Sequence, residues 1–165
     1  MDKKYTLIES NCVSIADGRK LYQIQAIRSF SDVAAGDLGG YVEKESNLSH
    51  DGDCWIYGDG CVCGDAEVSG NVRVDGPGYI CNNVKINKQE QLFIVDILFN
   101  RSEYATFVKT DDGIVYVTCF IASRYFNGTI DELEKEVLNT YNKFSECRRR
   151  YLNAIKMVKE VFKYD

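Results

Sequence analysis

A single histidine, His50, is the whole imidazole complement of this 165-residue chain, so a general base of that kind can only be this residue. Long apolar runs are missing too. The longest, Leu92 to Phe99, is broken by Asp96 and falls far short of the roughly 20 residues that span a bilayer. Basic charge is not in excess: 20 Lys and Arg stand against 25 Asp and Glu, a net charge of -5. That balance excludes nucleic acid as the default partner, because gripping phosphates takes a surplus of Lys and Arg. Met1 to Ser10 holds two lysines but no apolar stretch of the kind a secretory leader needs. With an odd number of cysteines, seven, this leads to the expectation of a reduced, cytoplasmic protein with no membrane partner. Leu38-Gly39-Gly40 lacks the Lys-Ser/Thr sequel and the strand-to-helix setting of a phosphate loop, so its glycines read as turn or close-approach positions.

What the chain does have is a period of six. An aliphatic residue returns at Ile56, Val62, Val68, Val74, Ile80, Ile86 and Leu92, with Gly58-Asp59, Gly64-Asp65, Gly70-Asn71 and Gly76-Pro77 as turn pairs in register. Neither a helix nor a strand has that period. A chain that turns a corner every six residues does. Two positions before each aliphatic residue lies a mostly small or apolar one: Cys54, Gly60, Ala66, Val72, Gly78 and Val84. Three such sides close one coil of a triangular prism, so residues 56–92 supply two coils and residues 38–48 part of another. The step from Leu48 to Ile56 is eight rather than six. Ser49-His50-Asp51-Gly52 is therefore expected to bulge as a corner loop.

The flanks read differently. Tyr5-Thr-Leu-Ile and Leu21 to Ile27 surround Ala16-Asp17-Gly18-Arg19, a hairpin signal, and the second of these strands has the pattern of a half-buried edge or cap. After Gln91 come strand-like runs from Leu92, Tyr104 and Ile114, the last two joined by Asp111-Asp112-Gly113. Thr129 and Glu132 then form a capping box before Ile130, Leu133, Val137, Leu138 and Tyr141 at helical spacing. A second helix is expected over Lys143 to Lys163, with Phe144, Cys147, Tyr151, Ile155, Val158 and Phe162 on one face. Its other face is basic: residues 142–164 carry seven Lys and Arg against Glu146 and Glu160, whereas residues 1–141 are acidic overall. The two regions should attract each other, within a chain or between subunits.

Residues 56–92 resemble the hexapeptide repeat of left-handed parallel β-helix proteins, whose best-known members are acyltransferases. A longer set resembles short hexapeptide-repeat proteins of bacteria and their phages, often labelled transferases on the fold alone. It runs from Leu21 through Leu38-Gly39-Gly40-Tyr41-Val42-Glu43 and Asn47-Leu48-Ser49-His50 to Cys54-Trp55-Ile56-Tyr57-Gly58-Asp59. The resemblance implies a left-handed parallel β-helix, and together with the flanking elements read above it makes the expected chain mainly β with a C-terminal α part. Residues 1–37 would be an N-terminal β-hairpin cap and residues 38–92 a short left-handed parallel β-helix. Residues 93–165 would be a small antiparallel sheet with two helices for assembly or binding. It also implies a homo-oligomer, a trimer. In that family a histidine between neighbouring subunits commonly serves as general base, beside a groove for the pantetheine arm of the acyl carrier.

His50, at the bulged corner, is the matching candidate; the alternative is a solvated turn residue. Arg148-Arg149-Arg150 could grip a phosphate, but three successive residues fan around a helix, so a solvated face or a contact with the acidic body competes with that reading. Trp55 and Tyr57 flank the inward Ile56 and are expected on the outer surface as a contact patch. Cys63 and Cys81 should stack on adjacent coils about 4.8 Å apart, facing outward and reduced. A thiolate metal site with Cys61 lacks a second spaced pair or a neighbouring histidine, and no metal is expected.

The function expected from these residues is a non-enzymatic oligomeric binding protein without a cofactor. In the concrete form that the resemblance to phage proteins implies, it is encoded by a phage or mobile element and acts in the host cytoplasm, blocking a host protein or sequestering a small anionic ligand near the arginines. The alternative is an acyl-CoA-dependent acyltransferase, with acetyl-CoA or another acyl-CoA as donor and His50 as general base.

Overall fold

The computed structural model describes residues 2–15, 18–81, 83–98 and 104–164. The chain divides into two compact units, Met1–Gln89 and Glu90–Asp165.

The first unit opens with two long strands, β1 (Tyr5–Ser14) and β2 (Lys20–Ala26), which pair antiparallel with a bulge between Ile8 and Cys12. Ala16 and Asp17 of the expected hairpin turn lie outside the described residues. β3 (Leu38–Val42) pairs antiparallel with β2. Each hexad then contributes one two-residue strand: β4 (Trp55–Ile56), β5 (Cys61–Val62), β6 (Glu67–Val68), β7 (Arg73–Val74), β8 (Tyr79–Ile80) and β9 (Lys85–Ile86). What cuts the strands so short is a residue in the left-handed region at every sixth position, Gly52, Gly58, Gly64, Gly70 and Gly76, with φ between +57° and +72°. A side chain disfavours that conformation.

The short strands form parallel ladders. Trp55 pairs with Arg73, Cys61 with Tyr79 and Glu67 with Lys85, each an interval of three hexads. One row earlier the interval is longer by two residues: Tyr41 pairs with Cys61 and Leu48 bridges Val68. The extra two residues fall between Leu48 and Ile56, at the corner the sequence marks as bulged. Every residue of the aliphatic row from Ile56 to Ile86 is buried, as are Cys54, Ala66, Val72 and Val84 two positions before. Each such Val or Ile side chain contributes about 1.5–3 kcal/mol of hydrophobic stabilisation.

Two expectations are corrected here. β2 is not an edge strand: the sheet order is β1-β2-β3-β5-β8, so β1 takes the edge. Cys63 and Cys81 do not face solvent. Both are buried, with Cα atoms 4.6 Å apart and their sulfurs joined as a disulfide. Leu21, Val13 and Ile15 of the N-terminal hairpin pack over them, a cover that the hexad pattern alone does not reveal.

The second unit is a four-stranded antiparallel sheet in sequential order, β10 (Leu92–Asp96), β11 (Tyr104–Lys109), β12 (Val115–Ile121) and β13 (Arg124–Thr129), with α1 (Ile130–Thr140) and α2 (Glu146–Phe162). Ile97, Phe107, Val117, Ile130, Leu133, Tyr151, Ile155 and Val158 share its core. The capping box is present: the Thr129 hydroxyl accepts from the Glu132 N–H while the Glu132 carboxylate accepts from the Thr129 N–H. β13 replaces the chain break expected at Asn127-Gly128. It is reached through Ala122 and Ser123, both at positive φ, a turn without the glycine that would have announced it. Phe144 is 87 % exposed and precedes α2 rather than sitting on its buried face. No helix among the described residues is long and apolar enough to cross a membrane.

Candidate functional site

The inserted corner is built from three segments of the first unit. A short 3-10 turn, Glu45–Asn47, precedes it and is anchored by buried Asn47. The Asn47 side-chain amide donates to the carbonyls of Gly64 (3.1 Å) and Ala66 (2.8 Å), and its oxygen accepts from the Lys44 N–H (2.9 Å). That fixes where Glu45 points. The start of β1 lies against the same corner. The Tyr5 hydroxyl sits 2.8 Å from the Glu45 carbonyl and 2.7 Å from that of Leu48, and the Tyr5 ring stacks on the His50 imidazole with centroids 4.3 Å apart. Burial, reinforced by the charge of Glu45, pushes the Tyr5 phenol well above its ordinary range, so it stays a neutral donor.

His50 is not the solvated turn residue of the alternative reading. Its side chain is 16 % exposed, and both ring nitrogens are engaged. Nε2 lies 2.8 Å from Glu45 Oε1, and Nδ1 accepts the main-chain N–H of Lys4 at 3.3 Å. A nitrogen facing an N–H must present its lone pair, so the hydrogen-bond network assigns the proton to Nε2, which donates to the carboxylate. Glu45 is also paired with the Lys3 ammonium at 2.5 Å. That ammonium first, and the imidazole second, hold the Glu45 carboxyl below its ordinary value. The arrangement is a carboxylate-oriented imidazole whose Nδ1 lone pair is occupied by the Lys4 N–H; it can accept a proton once that donor gives way, and the carboxylate is placed to stabilise the imidazolium that results.

Beneath it lies Lys4, 0 % exposed. Its Nζ donates to the carbonyls of Gly52 (3.1 Å) and Cys54 (2.8 Å), contacts Cys54 Sγ (3.2 Å) and lies 5.0 Å from the centre of the Phe30 ring. Burial raises the Cys54 thiol, an effect that Lys4 opposes.

The other candidate residues lie elsewhere, and two of them need correction. Trp55 is buried rather than on an outer contact patch, because Phe30 and Tyr5 pack edge-on against its ring with centroids 5.4 and 6.2 Å away. Tyr57 is only partly exposed. Its hydroxyl donates to Asp32 at 2.7 Å, and the Arg73 guanidinium, itself paired with Asp32, lies 4.3 Å from the centre of its ring. Burial, then the bond to Asp32, pushes the phenol up to about 12. The three arginines belong to the second unit, on α2, and do not converge on one partner. Arg148 donates to the Tyr141 carbonyl (3.1 Å), while Arg150 is held by Glu146 (2.6 Å), with Arg149 at 3.8 Å from the same carboxylate.

Sequence reasoning missed Glu45, Lys4 and Tyr5. The nearest acid in the chain to His50 is Asp51, and only the 3-10 turn brings Glu45 round to the ring. Lys4 carries no signal at all, since a lysine at the start of a strand reads as surface.

No protein-family model matches the chain. The chain is similar to an Escherichia coli (strain K12) protein named "Uncharacterized acetyltransferase YdcK", with 40% identity over 85 residues, covering 45% of this chain and 26% of that protein. The chain thus corresponds to about a quarter of the length of that relative. The match corrects the expectation of a non-enzymatic protein that blocks a host factor or sequesters an anion: the relative is named an uncharacterized acetyltransferase, which favours the acyltransferase alternative over that expectation.

Proposed function

We propose that the protein is an acyl-CoA-dependent acyltransferase, with residues 38–92 coiled as a short left-handed parallel β-helix and His50 as general base. The observation that carries this reading is the carboxylate-oriented imidazole at the one corner where the six-residue rhythm is interrupted. The similarity to an acetyltransferase supports it. In the reaction, an acceptor hydroxyl or amine takes the place of the Lys4 N–H on His50 Nδ1 and attacks the thioester carbonyl while Nδ1 takes its proton. Glu45 stabilises the imidazolium through Nε2–H, and the proton then passes to the departing CoA thiolate. Acetyl-CoA is the donor to test first.

Calorimetric titration with acetyl-CoA should show saturable binding, and donor at about 100 times its Kd should stabilise the fold by about 2.7 kcal/mol. His50→Ala should retain that binding, because the imidazole acts on the acceptor rather than holding the donor. A titration with neither heat nor thermal stabilisation would overturn the reading.

A further inference from the structure

Lys4 touches the His50 corner twice, by different parts of the same residue. Its main-chain N–H occupies His50 Nδ1. Its ammonium spans the carbonyls of Gly52 and Cys54, just past the histidine in the same loop. A fully buried lysine is costly unless its donors are met, and among the described residues no carboxylate forms an ion pair with it. Its donors are spent on main-chain carbonyls and the Cys54 sulfur instead. A side chain used only to fill space would be cheaper as leucine or methionine. What the ammonium adds is a fixed path for the inserted loop, and therefore a fixed distance between the Lys4 amide and the imidazole.

We propose that Lys4 is the positioning residue of the His50 site. Its ammonium sets the loop, and its amide holds the imidazole with the proton on Nε2 and the lone pair on Nδ1. This rests on the acyl-transfer reading for its catalytic meaning, but not for its geometry. The Lys4 amide stands where the O–H or N–H of an acceptor would stand in the reacting complex. Acceptor binding then exchanges one donor on Nδ1 for another without changing which nitrogen carries the proton. That avoids a tautomer shift before proton transfer.

Because His50 is the one histidine of the chain, imidazole nitrogen NMR on the intact protein reads the site without assignment ambiguity. The wild type should show a single Nε2–H tautomer and a through-hydrogen-bond coupling between the Lys4 amide nitrogen and His50 Nδ1. Lys4→Met keeps length and apolar bulk but removes the ammonium. It should lose that coupling and shift the Nδ1 signal, while Nε2, still donating to Glu45, keeps its proton; Glu45→Gln, with Lys4 intact, retains the coupling. A Lys4→Met protein that folds with wild-type ring signals overturns the proposal. Should that variant not fold, absence of the coupling in the wild type overturns it equally, and its presence supports it. These signals need no acyl donor. Failure of the acyl-transfer reading would show separately, as wild-type protein that binds no acetyl-CoA.

Discussion

Glu45 ties the site to pH. Lys3 and His50 hold its carboxyl below the ordinary value of 4.5. A depressed folded value means that the stabilising contribution is present above the ordinary value and is lost as pH falls through the lowered one. Glu45→Gln should therefore melt below wild type at neutral pH, and the gap should close as the pH is taken well below that ordinary value. Paired melting curves at pH 7 and pH 3 check this; a gap that stays constant would show that Glu45 does not titrate differently in the folded chain. The same residues show what the sequence could and could not convey. The position of His50 in an insertion was legible from the eight-residue step to Ile56, because spacing is a property of the chain alone. The partners of His50 were not, because Glu45 and Lys4 reach it through a 3-10 turn and a strand end. Trp55 misled for a related reason: its neighbours put it on the outer face, and only Phe30 and Tyr5, distant in sequence, cover that face.

At the level of elements, the corners decide. Gly52 and Gly58 both have positive φ, +69° and +57°, but their surroundings differ. A Cβ at Gly52 would come 2.3 Å from the Gly70 carbonyl oxygen, whereas one at Gly58 would meet nothing within 4 Å. Gly58→Ala should cost about 1–2 kcal/mol, the conformational term alone. Gly52→Ala adds a clash with the Gly70 backbone and should cost clearly more, about 3 kcal/mol or beyond. Urea midpoints of the two variants test the ordering, and equal losses would contradict the close approach of Gly52 to Gly70. The periodic glycines made these corners legible in the sequence. β13 stayed hidden because its turn uses Ala122 and Ser123 at φ +48° and +64°, conformations that glycine or asparagine normally advertise.

For the whole molecule, the relevant boundary is Gln89/Glu90. The first unit has its own buried rows, from Leu21 and Ile24 through the aliphatic positions to Ile86. The core of the second uses β11 and β12 together with α1 and α2. A fragment of residues 1–89 should therefore unfold cooperatively by itself and keep the wild-type His50 ring signals. A cut at residue 126 removes both helices and most of β13 while leaving Phe107, Val115 and Val117 uncovered, and should yield an aggregating protein. A non-cooperative melt of the 1–89 fragment would contradict this division. Its mass in solution would also report whether the first unit assembles without the helices, a property the repeat pattern leaves open because assembly depends on outer faces and not on the buried aliphatic row.

Acyl transfer is tested most directly by chromatographic measurement of CoA released from acetyl-CoA in the presence of a panel of amine and hydroxyl acceptors, comparing wild type with His50→Ala. The expected result is release that saturates with acetyl-CoA, depends on an acceptor and falls by about 10²–10⁴-fold in His50→Ala. Release at the uncatalysed level with every acceptor, or an equal rate from His50→Ala, would contradict it.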